Sequence, residues 1–407
     1  MKIYSIGLCI AIFLTSCNSI KKLYTVYGES KIKQEVTGNN QEVLRIYFDR
    51  MGFIYPDYRI NDIQFRNSYS YFSNFYRRNQ NTYNAISTAY GVPLISHDTL
   101  VGPATDPIQD AAVNAFVKKI NLRKGNYDKL VFLVHGFNKH PEKPLDPNET
   151  FEGNSATEFA GIRSYIKAHF PNTRFQFVEV YWDGLSAQNS AKAQALFNIP
   201  KFWNNAMVHA NNVGLELRRV LNALENDKVY IVSHSLGASV VTTSLFNTRQ
   251  FSLSAYANKK QRDMQYILFR QSNAKYNTPV SKVRAGMFAP AIPGKNIFDE
   301  YDQRTINGID VLDNKKNFSF IVGFNSNDYV LTKGVNIPSF YGATTLGCVR
   351  EDLLAAKAEV NNDPDVLDDI DFSTVKLTGQ EKQTSHSIID YLKNEHFNVF
   401  LDKLFEK

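Results

Sequence analysis

The sequence predicts an α/β protein: a mostly parallel sheet with helices on both faces, joined to an irregular, β-rich aromatic region at the N-terminal end. Short, uninterrupted apolar runs such as Leu130-Val131-Phe132-Leu133-Val134 mark strands buried on both faces. Stretches with helical apolar spacing separate those runs, and strands joined by helices lie parallel through right-handed crossovers. The 407 residues are 43% hydrophobic and 21% charged, which suits a folded globular chain and excludes wholesale disorder. That length fits two domains or one large α/β domain with insertions. The net charge of +6 is spread out, so it gives no argument for a nucleic-acid partner.

From Leu23 to about Leu100 the pattern is β-like but irregular, with strands expected at Val43–Phe48 and Phe53–Tyr55. No chemistry announces itself among the Tyr, Phe, Asn and Arg residues that follow. A helix is expected over Gln109–Leu122, on Ala111, Ala112, Ala115, Phe116 and Ile120, after the turn-forming Pro103 and Pro107. The Leu130–Val134 strand comes next, then a Pro- and Asn-rich loop. Ser155-x-x-Glu158 reads as a capping box that opens a helix through Ile162, Tyr165 and Ile166. Further strands are expected at Phe175–Tyr181, Val229–Val232, Val283–Phe288 and Phe318–Phe324. A long helical region runs to Leu224, another helix starts near Leu236, and one amphipathic helix is expected over Ser387–Phe405.

Two insertions stand out, near 185–212 and 250–280. The first carries Leu196, Phe197, Ile199, Phe202, Trp203 and Met207, a set that suits a lid over a site or a plain core helix equally. The second is more polar and basic and reads as a peripheral excursion.

The first residues carry an address. Met1-Lys2 is a short positive start, an apolar stretch runs from Ile3 to Leu14, and Leu14-Thr15-Ser16-Cys17 closes it. Such a segment reads as an export signal. Its end resembles the bacterial lipobox, which implies removal of residues 1–16, acyl chains on Cys17 and an exported protein anchored to a bacterial membrane. An uncleaved membrane helix is the other reading, and its polar end makes a span marginal. Cys9 leaves with the signal, and Cys348 is then the lone thiol, expected to be buried and inert. Three cysteines in total give no disulfide framework.

The chemistry sits at strand ends. Val229 to Val232 runs straight into Ser233-His234-Ser235-Leu236-Gly237 and a helix rich in small residues. A tight turn of this kind lifts Ser235 above the sheet, and small residues two before and two after it relieve the crowding. Upstream, the Leu130–Val134 strand ends in His135-Gly136-Phe137. His135 reads as a residue that shapes that loop. His135 and His140 lack a third ligand, so no metal site is expected.

Across about Leu130 to Lys407 these motifs resemble the α/β-hydrolase superfamily, in its esterase, lipase and thioesterase branch. Ser233 departs from the Gly usual at that place in the G-x-S-x-G turn. The resemblance implies Ser235 as nucleophile and the backbone N–H groups of Phe137 and Leu236 as the oxyanion hole. It also implies the chain order Ser, acid, His. Two histidines follow Ser235: His386, in a polar loop before the last helix, and His396, within that helix. The loop position favours His386 as base. Asp328 follows the Phe318–Phe324 strand and is the acid that this order favours, with Asp299 and Glu300 as competitors. Asp183 also ends a strand but precedes Ser235, so with His135, Gly136 and His234 it is a pocket-lining candidate.

The implied activity is cleavage of carboxylic esters or thioesters through an acyl-enzyme, with no cofactor and no metal. A different class stays open, a lipoprotein that keeps the fold for binding or scaffolding without the chemistry. The organisation expected is a signal at 1–16, an N-terminal region at 17–128 and a hydrolase-like domain at 129–407.

Overall fold

In a computed structural model the described residues are 43–48, 52, 54, 107–137, 155–182, 184, 192–245, 282–294, 305–306, 309–310, 318–334, 344–374 and 382–406. The signal segment, Cys17, His140, Asp183, the whole 250–280 insertion, Asp299 and Glu300 lie outside them.

Taken in chain order, the elements are strand β1 (Val43–Phe48), helix α1 (Pro107–Asn121), β2 (Lys129–Val134), α2 (Ser155–His169), β3 (Phe175–Trp182) and α3 (Lys192–Asn222). They continue with β4 (Lys228–His234), α4 (Gly237–Leu245), β5 (Lys282–Phe288) and a small antiparallel pair, β6 (Thr305–Ile306) and β7 (Ile309–Asp310). The last are β8 (Phe318–Phe324), α5 (Arg350–Glu359), β9 (Leu367–Asp371), α6 (Ile388–Lys393) and α7 (His396–Phe405). Seven strands form one sheet in the order β1-β3-β2-β4-β5-β8-β9, and every pairing in it is parallel.

The apolar runs explain the layering. Alternate residues of a strand face opposite sides, and in β2 Leu130, Phe132 and Val134 enter one core while Val131 and Leu133 enter the other. Helices α1, α3, α4 and α5 cover the first face through residues such as Phe116, Val213, Val240 and Leu353. Helices α2, α6 and α7 cover the second through Phe159, Ile166, Leu392, Phe400 and Leu404. Each such side chain, fully buried, stabilises by about 1.5–3 kcal/mol before entropy is counted. Buried Arg218 of α3 donates to the Thr243 and Ser244 carbonyls at the end of α4, which ties α4 to α3.

Three features differ from the sequence expectation. The sheet takes in β1, and α1 packs on it, although both precede residue 129. β1 is the edge strand of the described sheet, with β3 as its strand neighbour, so its mixed pattern of Leu44, Arg45, Ile46 and Tyr47 does not read as a fully buried run. Of the strand expected at Phe53–Tyr55, the described residue Ile54 makes an isolated bridge to Phe48. The single helix expected over Ser387–Phe405 is two helices, because Asn394 takes an extended conformation and its Oδ1 accepts the His396 N–H. His396 therefore opens α7 rather than lying within a helix, and Asn394 Nδ2 ties the break to the Thr374 carbonyl.

Strand β9 and helix α5 have no counterpart in the sequence reading. The run Leu367-Asp368-Asp369-Ile370-Asp371 is too acidic to look like a strand. At the sheet edge those charges are matched: Asp369 accepts from Arg350 and Lys357, and Asp368 pairs with Lys403. Charged edges of this kind discourage pairing with other chains.

Candidate active site

The strand order places a topological switch beside β2. The chain leaves β2 for β3 on one side and returns through α3 to β4 on the other. In open parallel sheets, ligands bind at the carboxyl ends of strands at such a point. The two segments meeting there are His135-Gly136-Phe137 after β2 and Ser235-Leu236-Gly237 after β4.

Ser235 has φ of 54°, in the left-handed region that a side chain rarely adopts. Strain of this kind costs about 1–3 kcal/mol and persists only where the surroundings enforce it. Here they do: the Ser235 N–H donates to Phe288 O at 2.9 Å, and its carbonyl accepts from Ala238 and Ala291, both at 3.1 Å. Close backbone approach explains the two glycines. A Cβ on Gly237 would lie 2.6 Å from the His135 carbonyl oxygen, and one on Gly136 would lie 2.8 Å from Ser235 Cβ. Gly136 is thus pressed against Ser235.

His135 shapes this loop from behind. Its Nε2 accepts the Trp182 backbone N–H at 3.2 Å, which leaves Nδ1 to donate to the Gly136 carbonyl at 2.9 Å. The imidazole is buried and stacked on Trp182, whose indole N–H donates to the His135 carbonyl at 2.9 Å. Both ring nitrogens therefore serve the scaffold. Among the described residues, neither the Phe137 nor the Leu236 backbone N–H donates a hydrogen bond. Leu236 is followed directly by α4, whose N-terminal end favours negative charge.

Asp328 and His386 come together as the sequence order suggests. His386 Nδ1 lies 2.7 Å from Asp328 Oδ2. The carboxylate is wholly buried and saturated with donors: Val330 and Leu331 N–H reach Oδ1 at 3.0 Å each, and the Tyr391 hydroxyl reaches Oδ2 at 2.9 Å. With Nδ1–H committed to the carboxylate, His386 Nε2 keeps its lone pair, and among the described residues that buried atom has no hydrogen-bond partner, Ser235 Oγ included. The His386 ring is 4.8 Å from the ring of His234, the residue before Ser235. The Tyr329 N–H donates to Thr384 O at 3.1 Å, which ties the loop of Asp328 to the loop of His386. Ser235, Asp328 and His386 thus stand on the ends of β4 and β8 and in the loop before α6.

Further residues border this region. Trp203 of α3 packs edge-to-face on Phe137, with ring centroids 5.4 Å apart, and the Lys333 ammonium lies 5.3 Å from the Trp203 ring. Trp203 belongs to the first of the two insertions, so that segment reaches the loop after β2; the side chains of Leu196, Phe197, Ile199 and Phe202 lie outside the described residues. Cys348 is buried, and burial pushes its thiol up to about 12, helped by the charge of Asp328. Sequence reasoning missed Tyr391 and Asn325. In sequence, Tyr391 is one more apolar-spaced helix residue and Asn325 one more loop residue, so neither carries a signal.

The chain matches no protein-family model and no curated protein.

Proposed function

We propose that this protein is a serine hydrolase of the α/β-hydrolase type that cleaves carboxylic esters or thioesters. The observation that carries the reading is His386. A buried carboxylate holds one ring nitrogen, and the other, without a partner among the described residues, stands beside the turn that bears a strained serine. An imidazole so oriented is a general base.

In the proposed reaction the Ser235 hydroxyl comes within about 3 Å of Nε2 and passes it a proton as Oγ attacks the substrate carbonyl carbon. The carbonyl π pair becomes the oxyanion, held by the Phe137 and Leu236 N–H groups. Each such donor stabilises the transition state by about 3–4 kcal/mol. His386 returns the proton to the leaving alcohol or thiol as the tetrahedral intermediate collapses to an acyl-serine. Water, deprotonated by the same nitrogen, attacks next and releases the carboxylic acid and free Ser235. Asp328 orients the ring and stabilises the imidazolium throughout. No step needs a cofactor. Lipidation of Cys17 would hold the enzyme on a bacterial membrane.

A second reading is favoured by one observation, that Nε2 and Ser235 Oγ are not hydrogen-bonded. It keeps the fold as a binding or scaffolding lipoprotein. A panel of short and long acyl esters, thioesters and amides separates the two. Turnover that Ser235→Ala abolishes supports the hydrolase and names its preferred acyl length; no turnover by folded wild type on any member supports the scaffold.

A further inference from the structure

We propose that Tyr391 is a positioning residue of this site: its hydroxyl shares Asp328 Oδ2 with His386 and sets how much of the carboxylate's charge faces the base. The assignment rests on the hydrolase reading. Its geometry stands apart from that reading.

The direction of each proton follows from the partners. Asn325 Oδ1 accepts the Asn327 N–H at 3.0 Å, which fixes the amide so that Nδ2 is the donor. Nδ2 donates to the Gln383 carbonyl and to the Tyr391 hydroxyl oxygen, both at 2.9 Å. The phenol accepts there, so its own proton goes to Asp328 Oδ2, 2.9 Å away. Asn325, Tyr391 and Asp328 are all buried, and in a low dielectric a chain of this kind polarises its members. Burial, with the nearby charge of Asp328, holds the Tyr391 phenol well above its ordinary value, so it remains a donor throughout the range in which a histidine works. The groups facing His386 are Asp328 from the loop after β8, His234 from the end of β4 and Tyr391 through the shared oxygen from α6. Cys348 and Lys333 lie close enough to act on Asp328.

Without the hydroxyl, Oδ2 has one donor fewer, and more of its charge faces the imidazolium. The base then holds its proton more tightly, and the acid limb of the activity profile moves to higher pH. Tyr391→Phe keeps the ring that packs between Phe288 and Phe372, so the core is preserved.

The experiment measures the rate of Ser235 labelling by a fluorophosphonate against pH for wild type and Tyr391→Phe. The expected result is an acid limb displaced upward by about half a pH unit, so that the rate at a pH on that limb is lower by about 3-fold. An unchanged rate and limb overturn the assignment; a lower rate with an unmoved limb also overturns it, because lost packing alone would do that. Should Tyr391→Phe not fold, Asn325→Ala frees the phenol from its second partner and must move the limb in the same direction; an unmoved limb again overturns it. If wild type shows no Ser235-dependent labelling, the hydrolase reading itself fails and the assignment with it, an outcome distinct from the other three.

Discussion

Substituting Gly136 by alanine tests whether the loop after β2 is built to touch the serine. The added Cβ would lie 2.8 Å from Ser235 Cβ, 2.9 Å from the His234 carbonyl oxygen and 3.4 Å from Ser235 Oγ. The shortest contact falls about 0.6 Å inside ordinary van der Waals distance, so something must retreat. Neither neighbour can give. His234 is the last residue of β4, and Ser235 is pinned through Phe288, Ala238 and Ala291. The loop must therefore move, at about 1–3 kcal/mol for overpacking, and it carries the Phe137 N–H with it. Displacing that donor by a fraction of an ångström lowers the fluorophosphonate labelling rate by about 10- to 100-fold. Gly161→Ala in α2 is the control. Its Cβ would meet the side-chain ends of Leu392 and Ile389 at 3.2 and 3.4 Å, which can shift, while a helix interior gains about 0.5–1 kcal/mol from the change. Melting curves and labelling rates of the two variants are then compared. A Gly136→Ala protein that melts and labels like wild type refutes the reasoning.

Two other predictions concern distant parts of the chain. The Asp369 carboxyl is held below the usual carboxylate range: burial opposes ionisation, but the hydrogen bonds from Lys357 and Arg350 outweigh it. A depressed value means stability that is present above the free carboxyl's value of about 4 and lost as pH falls through the folded one. Asp369→Asn should thus melt below wild type at neutral pH, by about 1 kcal/mol, and the two melting curves should converge in acid. Replacing Cys17 by alanine should move the protein from the membrane fraction to the soluble fraction of its cells and abolish incorporation of labelled palmitate; unchanged fractionation contradicts the lipid anchor.

The central sheet was legible because its strands are buried on both faces and so read as unbroken apolar runs, Phe318–Phe324 being placed to the residue. The edges were legible in part. β1 was placed to the residue as a strand but, half exposed, was not read as belonging to this sheet, and β9 carries three aspartates, two of which, Asp368 and Asp369, find their partners Arg350, Lys357 and Lys403 on α5 and α7 rather than in nearby sequence. The site divides in the same way. Ser235 and Gly237 announce themselves through a turn whose crowding dictates residue size, strand-end position pointed to Asp328, and the polar loop before the last helix pointed to His386. Tyr391 and Asn325 act through contacts spanning more than sixty residues of chain, which no local pattern encodes.

The most direct test of the account is to locate the adduct that a fluorophosphonate forms with the folded protein. The account predicts a single phosphonylated peptide, modified at Ser235, absent from Ser235→Ala and from protein unfolded before exposure. A folded wild-type protein that stays unmodified, or one modified on another serine and equally so in Ser235→Ala, would contradict it.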